Sequence, residues 1–255
     1  MPTVEADDLK VHYLEEGEGE PIVFVHGNWS TSSWWEPVLE RLPEGYRGIA
    51  YDVRGRGRTE GPDSEYTMPE LAADLAALAD ALDLDRFHLV GHSLGSAIAM
   101  QFALEYPDRV RSLTVIAPAW VDGMPDAYNV PAGQEAIKAD KSLFEQALKP
   151  LAPTVEEGEF WRRLVDEGFE QRLTAALKNL DALSNWKPGD QLREIGAPTL
   201  VISGELDALT GAENAVRAIE ALGAEHRVID KVGHSPNIEA PEAFVGLLVA
   251  HISRA

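Results

Sequence analysis

The sequence predicts an α/β fold, in which helices cover both faces of a mostly parallel sheet. One observation behind this prediction is the alternation of strand-like and helix-like segments over the first half of the 255 residues. Another is that Ile22-Val23-Phe24-Val25 is continuously apolar, which is typical of a strand buried on both faces. A third is a strand-like run that ends at Gly91 and passes into a helix-like run after Ser93. Ligand sites in such sheets form at the carboxyl ends of the strands.

Apolar runs and helical spacing predict the individual elements. A helix over 69–82 is predicted by the spacing of Leu71, Leu75, Leu78 and Leu82. Further helices are expected over 94–106, 214–222 and 240–252. The expected strands are 9–14, 22–25, 48–52, 87–90, 110–117, 198–203 and 226–229.

The alternation stops at about Trp120 and returns at Pro198. The intervening segment is helix-prone, is broken by prolines, and has no clear buried strand. We interpret 1–119 and 190–255 as two parts of one core α/β domain and 120–189 as a helical cap over the strand ends. The alternative is that this segment packs against the sheet like any other helix, with its aromatic residues as core.

Composition and charge exclude several classes of function. The chain has no cysteine, which rules out disulfides, thiolate catalysis and cysteine metal sites. Its formal net charge of −21 makes nucleic acid and anionic membrane surfaces poor partners, because both need a basic footprint. The first residues do not resemble a signal peptide, and the apolar runs are too short to cross a bilayer. We therefore expect a soluble, cytoplasmic protein.

The candidate nucleophile is Ser93, in the run Gly91-His92-Ser93-Leu94-Gly95. This run has the pattern G-x-S-x-G and lies between a predicted strand and a predicted helix. A serine on such a sharp turn has a strained backbone and an outward hydroxyl, and small residues two positions away let the strand and helix pass closely. The same five-residue pattern also occurs in ordinary Gly-Ser turns, so the flanking strand and helix patterns decide between a nucleophile turn and an ordinary turn.

A nucleophilic serine needs a neighbouring base, and the base needs a third group that fixes its tautomer. Of the seven histidines, His234 is the candidate base because it lies in a loop after a strand. Asp207 is the candidate acid, since it follows another strand and gives the chain order Ser, Asp, His. Asp122, just beyond the 110–117 strand, is the alternative acid. His26 is expected to brace its own loop by hydrogen bonds.

Two backbone N–H groups are expected to form the oxyanion hole for a tetrahedral intermediate. One is the N–H of Leu94, which follows the nucleophile, and the other is the N–H of Asn28, in the loop after the second predicted strand. Trp29, His92 and Trp120 are candidate walls of the substrate pocket. For both tryptophans, a packing role is the alternative.

These motifs resemble the α/β-hydrolase fold family. They occur in the family's order as His26-Gly27-Asn28-Trp29, Asp52-Val53-Arg54-Gly55-Arg56-Gly57-Arg58, Gly91-His92-Ser93-Leu94-Gly95, Gly204-Glu205-Leu206-Asp207 and Gly233-His234. The resemblance implies a doubly wound, mostly parallel α/β-hydrolase sheet with a helical cap inserted after the sixth strand. The family usually has a proline shortly after the acid, whereas Ala208 follows here. Haloalkane dehalogenases of this fold use an aspartate nucleophile, and the serine at position 93 argues against that mechanism.

The resulting hypothesis is a serine hydrolase that cleaves small-molecule carboxylic esters through a Ser-His-Asp triad and an acyl-enzyme, without a metal or organic cofactor. The same triad would serve a lactonase, a carbon–carbon bond hydrolase, a hydroxynitrile lyase or a cofactor-free perhydrolase. A ligand-binding receptor with a slow triad is the alternative from a different class. The natural substrate and the oligomeric state depend on the arrangement of the cap, which no motif reports.

Overall fold

An eight-stranded sheet forms the centre of the computed structural model, which describes residues 2–62 and 66–255. The spatial order of the strands is β1-β2-β4-β3-β5-β6-β7-β8, in which β1/β2 and β2/β4 pair antiparallel and the other described neighbours pair parallel. The mostly parallel sheet predicted from the sequence is therefore confirmed. The strands are β1 (Thr3–Ala6), β2 (Leu9–Gly17), β3 (Gly19–Val25), β4 (Gly45–Tyr51), β5 (Phe87–His92), β6 (Val110–Ile116), β7 (Thr199–Gly204) and β8 (Glu225–Ile229).

Ten α-helices accompany the sheet in the part of the chain that the structure describes. They are α1 (Glu36–Leu39), α2 (Met68–Ala81), α3 (Leu94–Glu105), α4 (Pro131–Lys138), α5 (Lys141–Leu148), α6 (Glu159–Glu170), α7 (Leu173–Asn185), α8 (Gly211–Leu222), α9 (Pro236–Glu239) and α10 (Pro241–Ile252). Helices α4 to α7 lie between β6 and β7, so a helical insert follows the sixth strand, as the resemblance implied. No helix within 2–62 and 66–255 has the length and apolarity needed to cross a membrane.

The core lies on both faces of the sheet, and β3 shows how one strand serves both. Val23 and Val25 belong to the cluster that includes the buried side chains of α2 and α3. Ile22 and Phe24 belong to the cluster on the opposite face, which includes the buried side chains of α10. Each fully buried side chain of this size contributes about 1.5–3 kcal/mol to stability. Burial on both faces is the reason that the run 22–25 has no polar alternation.

The first edge strand, β1, was not predicted from the sequence. β1 has four residues, of which only Ala6 is buried, and it pairs with β2 at the sheet edge. A short edge strand with so little apolar surface carries no strong pattern. β2 also extends to Gly17, beyond the predicted end at Leu14, because its exposed second half pairs with β4.

The tightest backbone packing surrounds the turn between β5 and α3. Ser93 occupies this turn with a φ of 54° and a ψ of −119°, a conformation that L-residues rarely adopt. A Cβ atom at Gly91 would lie 2.3 Å from the carbonyl oxygen of Gly95, and one at Gly95 would lie 2.3 Å from the carbonyl oxygen of Val25. Glycine is therefore required at both positions, because backbone occupies the space of a side chain.

His26 joins the ends of β3 and β4. Its Nδ1–H donates to the carbonyl oxygen of Gly27 at 2.7 Å, and its Nε2 accepts from the backbone N–H of Val53 at 3.0 Å. The expectation that His26 braces its loop is confirmed. The side chain has no exposed surface, and burial lowers the pKa of His26 to about 4, although the nearby carboxylate of Asp52 acts in the opposite direction. The imidazole is therefore neutral at pH 7, as its acceptor role at Nε2 requires.

We predict that Gly95→Ala destabilises the fold by about 3 kcal/mol or more, because the new methyl group would collide with the backbone of β3. Gly246→Ala in α10 is the matched control, since nothing lies within 4 Å of a Cβ atom there. The control is expected to be neutral or to gain up to about 1 kcal/mol from the higher helix propensity of alanine. Urea unfolding monitored by circular dichroism measures both variants, and equal midpoints would contradict the prediction.

Stability is expected to fall as the pH drops from about 6.5 to about 4. Over this range a histidine of the unfolded chain, with a pKa of about 6.5, takes up a proton that folded His26 does not bind. The unfolded state then binds more protons, so the free energy of unfolding decreases with falling pH, by up to about 3 kcal/mol from this residue. Urea unfolding of wild type and His26→Gln between pH 7 and pH 4.5 tests the prediction. The variant should be less stable at pH 7 but have a flatter profile, and parallel profiles would exclude His26 as the cause.

Candidate active site

Ser93 lies at the carboxyl edge of the sheet, between the end of β5 and the start of α3. Its carbonyl oxygen accepts from the N–H of Ser96 at 2.9 Å and from the hydroxyl of Ser96 at 2.6 Å, which holds the first helical turn. Leu94 is the first residue of α3, so its N–H has no acceptor within the helix. Consecutive residues thus supply a hydroxyl and a helix N-terminal N–H group at one edge of the sheet.

His234 and Asp207 come from the loops after β8 and β7, and the structure brings them together. Nδ1 of His234 lies 3.0 Å from Oδ2 of Asp207, and both side chains are buried. With Nδ1–H donating to the carboxylate, Nε2 of His234 carries the lone pair. This Nε2 is buried and has no hydrogen-bond partner among the described residues, so no hydrogen bond joins it to Ser93 in this structure. Ser93 and His234 nevertheless line the same cavity.

The carboxylate of Asp207 is held in its ionised form. Burial acts to raise its pKa, but the charge and hydrogen bond of His234 outweigh burial, and so the pKa of Asp207 lies well below its usual range. The N–H and hydroxyl of Thr210 donate to the carboxylate at 3.1 Å and 2.7 Å and lower its pKa further. The N–H of Leu209 also donates to it, at 2.9 Å. An anion in this position fixes the tautomer of His234 and stabilises its protonated form.

Asp122, the alternative acid, lies elsewhere. Its carboxylate is exposed and forms a two-pronged ion pair with Arg217 of α8, at 2.8 Å and 3.0 Å. The described hydrogen bonds and ion pairs of His234 include Asp207 and not Asp122. The geometry therefore favours Asp207 as the partner of His234.

Asn28 lies in the loop after β3 and lines the cavity with Ser93. The side chain of Asn28 is engaged away from Ser93: its Oδ1 accepts from the guanidinium of Arg56, and its Nδ2 donates to the carbonyl oxygen of Ala176 at 3.4 Å. A Cβ atom at Gly27 would lie 3.3 Å from both Nδ1 of His92 and Cβ of Ser93. The loop after β3 therefore approaches the Ser93 turn at close to van der Waals contact.

His92 lines the cavity and also contacts the backbone of His234. Its Nε2–H donates to the carbonyl oxygen of His234 at 2.9 Å, and its ring stacks on Trp34 with centroids 6.4 Å apart. Burial, followed by the proximity of His234, lowers the pKa of His92 to about 3. His92 is therefore a neutral donor that holds the loop of His234 in place.

A cavity of about 230 Å³ lies between the strand ends and the helical insert. Trp29 and Trp120 both line it; Trp29 packs edge-on against Phe144, and Trp120 packs against Tyr128. None of the described residues that line this cavity is an aspartate, glutamate, lysine or arginine. The insert supplies most of the apolar wall, through Met124, Ile137, Phe144, Ala147, Leu148, Leu151, Leu180 and Leu183.

Several polar groups of the cavity were not predicted from the sequence. Trp34, Ser235 and Gln134 line it, and Trp34 Nε1, Ser235 Oγ and Gln134 Oε1 are buried without a hydrogen-bond partner among the described residues. Ser235 is adjacent to His234, which was an available signal. Gln134 lies in α4, and no local pattern relates that helix to the strand ends. No cluster of three or more potential metal ligands occurs within 2–62 and 66–255.

Comparisons with known proteins identify the family of this chain. The sequence model of the alpha/beta hydrolase fold matches residues 20–241. The solved structure of Est816, described as an N-acyl homoserine lactone degrading enzyme, is 32% identical, with a TM-score of 0.82, over 98% of this chain and 99% of that one. The 2-hydroxy-6-oxo-2,4-heptadienoate hydrolase of Pseudomonas putida is 30% identical over 95% of this chain and 92% of its own length.

A third comparison concerns the fold alone. Carboxylesterase CesB of Bacillus subtilis has a TM-score of 0.86 at 24% identity, over 99% of this chain and 91% of that one. The family match extends from the start of β3 to the start of α10, and so includes the Ser93 turn and the loops of Asp207 and His234. The chain therefore belongs to the alpha/beta hydrolase fold family.

Proposed function

We propose that this protein is a serine hydrolase that cleaves small-molecule carboxylic esters, with Ser93 as nucleophile, His234 as base and Asp207 as the acid. One observation carries the proposal. Asp207 holds His234 by Nδ1 at 3.0 Å, and the free Nε2 belongs to a residue that lines the same cavity as Ser93. Hydrogen bonds between nucleophile and base are often long in ligand-free enzymes and tighten when substrate binds.

The reaction begins with attack of Ser93 Oγ on the ester carbonyl carbon, while His234 Nε2 accepts the hydroxyl proton. The carbonyl oxygen becomes an oxyanion, which the backbone N–H groups of Asn28 and Leu94 stabilise. Collapse of this intermediate breaks the carbon–oxygen bond of the ester, and His234 protonates the departing alkoxide. The products of this half-reaction are the alcohol and an acyl-enzyme on Ser93.

Water completes the cycle. His234, neutral again, takes a proton from a water molecule that attacks the acyl carbonyl, and returns the proton to Ser93 Oγ as the acid leaves. Asp207 remains ionised throughout, because its hydrogen bonds hold its pKa far below neutral pH. His92 acts as a positioning residue, since its bond to the carbonyl oxygen of His234 holds the backbone that carries the base.

The uncharged lining of the cavity favours a neutral, apolar substrate. In this proposal, 1–119 and 190–255 supply the catalytic groups and the cap, 120–189, supplies most of the wall. A charged substrate group would lose hydration there without an ionic partner among the described lining residues. The named substrate of the Pseudomonas putida relative is a dienoate, which carries a carboxylate. The lining therefore gives ester hydrolysis more support than hydrolysis of such an acid.

Lactones are a second candidate substrate class. The relative Est816 is described as degrading N-acyl homoserine lactones, at 32% identity. In this chain Trp34 and Gln134 line the cavity, and the Nε1–H of Trp34 and Oε1 of Gln134 are buried without partners among the described residues. A small rotation of either side chain would give a neutral ligand with an amide group and an alkyl chain a hydrogen-bond partner in a largely apolar cavity.

The first test is hydrolysis of p-nitrophenyl acetate, butyrate and octanoate, and of N-butanoyl homoserine lactone, by wild type and Ser93→Ala. We expect turnover by wild type and a loss of roughly four to six orders of magnitude in kcat for Ser93→Ala, because the hydroxyl is the nucleophile. Identical circular dichroism spectra of wild type and Ser93→Ala are the control that both proteins are folded. The ratio of lactone to ester turnover ranks the two substrate classes.

Two outcomes would reject this function. Equal rates for wild type and Ser93→Ala would exclude Ser93 as the nucleophile. If neither protein exceeds the background rate, ester and lactone hydrolysis both fail, and cyanohydrin cleavage and ligand binding become the reactions to measure.

Asp207→Asn and Asp122→Asn form a matched pair that tests the acid. Asp207→Asn should lower kcat on the order of 10³–10⁴-fold, because the amide no longer enforces the tautomer and charge of His234. Asp122→Asn should stay within about twofold of wild type, since it removes only an exposed ion pair with Arg217. The kcat for p-nitrophenyl butyrate is the measurement, and the reverse pattern would assign the acid to Asp122.

A further inference from the structure

Arg56 is a buried cation without a carboxylate partner among the described residues. Its side chain is 1% exposed, and no aspartate or glutamate of the described residues lies within 4.0 Å of the guanidinium. Arg54, two residues earlier in the same loop, is 5% exposed but pairs with Asp74 at 2.6 Å and with Asp8 at 3.2 Å. Both side chains are therefore largely buried, and the two arginines differ in charge compensation among the described residues.

Three neutral amides hold the guanidinium instead. Nη1 donates to Oε1 of Gln171 at 2.9 Å, and Nη2 donates to Oδ1 of Asn28. The carboxamide of Asn179, in the orientation that satisfies both of its polar atoms, accepts from Nε and Nη2 at 3.2 Å. The guanidinium carbon also lies 5.4 Å from the centroid of the Trp29 ring. These contacts engage all three nitrogens of the guanidinium, but none of these partners carries a negative charge.

An uncompensated buried charge is expensive, because hydration is lost and no ion pair replaces it. Desolvation by burial lowers the pKa of Arg56 to about 9, which still leaves it a cation at pH 7. A neutral residue would fill the same space at lower cost. The charge lies against Asn28 and Trp29, which both line the cavity of Ser93, so its field acts on the part of the cavity where negative charge would develop.

We propose that Arg56 is a positioning residue for the oxyanion hole, an inference that rests on the proposed ester hydrolysis. By holding Oδ1 of Asn28, Arg56 fixes the residue whose backbone N–H receives the oxyanion, and its charge favours the negative tetrahedral intermediate. The ground-state ester carries no such charge. The contribution of Arg56 therefore belongs to the transition state and affects kcat more than KM.

The competing explanation is structural. Arg56 joins the loop after β3 to Gln171 and Asn179 of the helical insert, so it could act only as a connection between core and insert. A purely structural role predicts a lower melting temperature and a looser cavity, and hence a raised KM. It predicts no selective loss in the binding of an oxyanion.

The experiment compares Arg56→Met and Arg56→Lys with Arg54→Met, which removes a second largely buried arginine from the same loop. The readouts are kcat and KM for p-nitrophenyl butyrate, the melting temperature, and the inhibition constant of an alkyl trifluoromethyl ketone. That ketone forms a hemiketal with the serine, and the hemiketal bears an oxyanion. Active-site titration with a phosphonate corrects every rate for the fraction of folded enzyme.

We expect Arg56→Met to lower kcat and the affinity of the ketone by similar factors, about 10- to 100-fold, with KM within about threefold of wild type. Arg56→Lys should recover part of both losses, because lysine keeps the charge but not the planar fork. Arg54→Met should lower the melting temperature without either loss. If Arg56→Met does not fold, Arg56→Lys decides: a joint loss of kcat and ketone affinity supports the proposal, and wild-type values overturn it.

Two other results would overturn the inference while leaving ester hydrolysis intact. One is an Arg56→Met enzyme whose kcat and ketone affinity match those of Arg54→Met. The other is a rise in KM with an unchanged kcat, which identifies a structural connection. A wild-type protein without esterase activity is a separate outcome and refutes the proposed function itself.

Discussion

Close backbone packing between the Ser93 turn and the end of β3 is the constraint on which the rest of the site depends. A Cβ atom at Gly95 would lie 2.3 Å from the carbonyl oxygen of Val25, and one at Gly27 would lie 3.3 Å from Cβ of Ser93. The two segments that carry the proposed oxyanion donors therefore meet through backbone rather than through flexible side chains. Their separation is set when the sheet forms, so donors placed this way need little reorganisation during reaction.

Around this contact, buried polar side chains with defined protonation states hold the loops in place. His26 and His92 are neutral because burial lowers the pKa of each to about 4 and about 3, and each uses one ring N–H to hold a backbone carbonyl. Asp207 is anionic, and Arg56 is cationic without a counter-ion among the described residues. Asp207 contacts His234 and Arg56 contacts Asn28, and both of these partners line the cavity; in a low-dielectric interior such charges interact more strongly than they would in water.

The helical insert contributes to the cavity in a different way from the loops of the sheet. It supplies most of the apolar wall of the cavity, and the loops of the sheet supply Ser93, His234 and Asp207. Relatives with different named substrates match this chain, so family membership alone does not fix the substrate. The sequence did not predict Gln134 as a lining residue. The spacing of apolar residues predicts which face of a helix is buried, but it does not predict which part of the protein that face packs against.

The sequence by itself determined the α/β class, the strand–turn–helix at Ser93 and the candidate residues at the strand ends. Those features follow from local periodicity and from glycine at positions where a side chain cannot fit. Only the tertiary structure decided that Asp207 and not Asp122 contacts His234, since both aspartates follow strands and the sequence alone ranks them by motif order. The burial of Arg56 without a counter-ion among the described residues was equally beyond the sequence. Two of its amide partners, Gln171 and Asn179, lie more than 100 residues from it in the chain, and such contacts exist only once the insert has packed against the sheet.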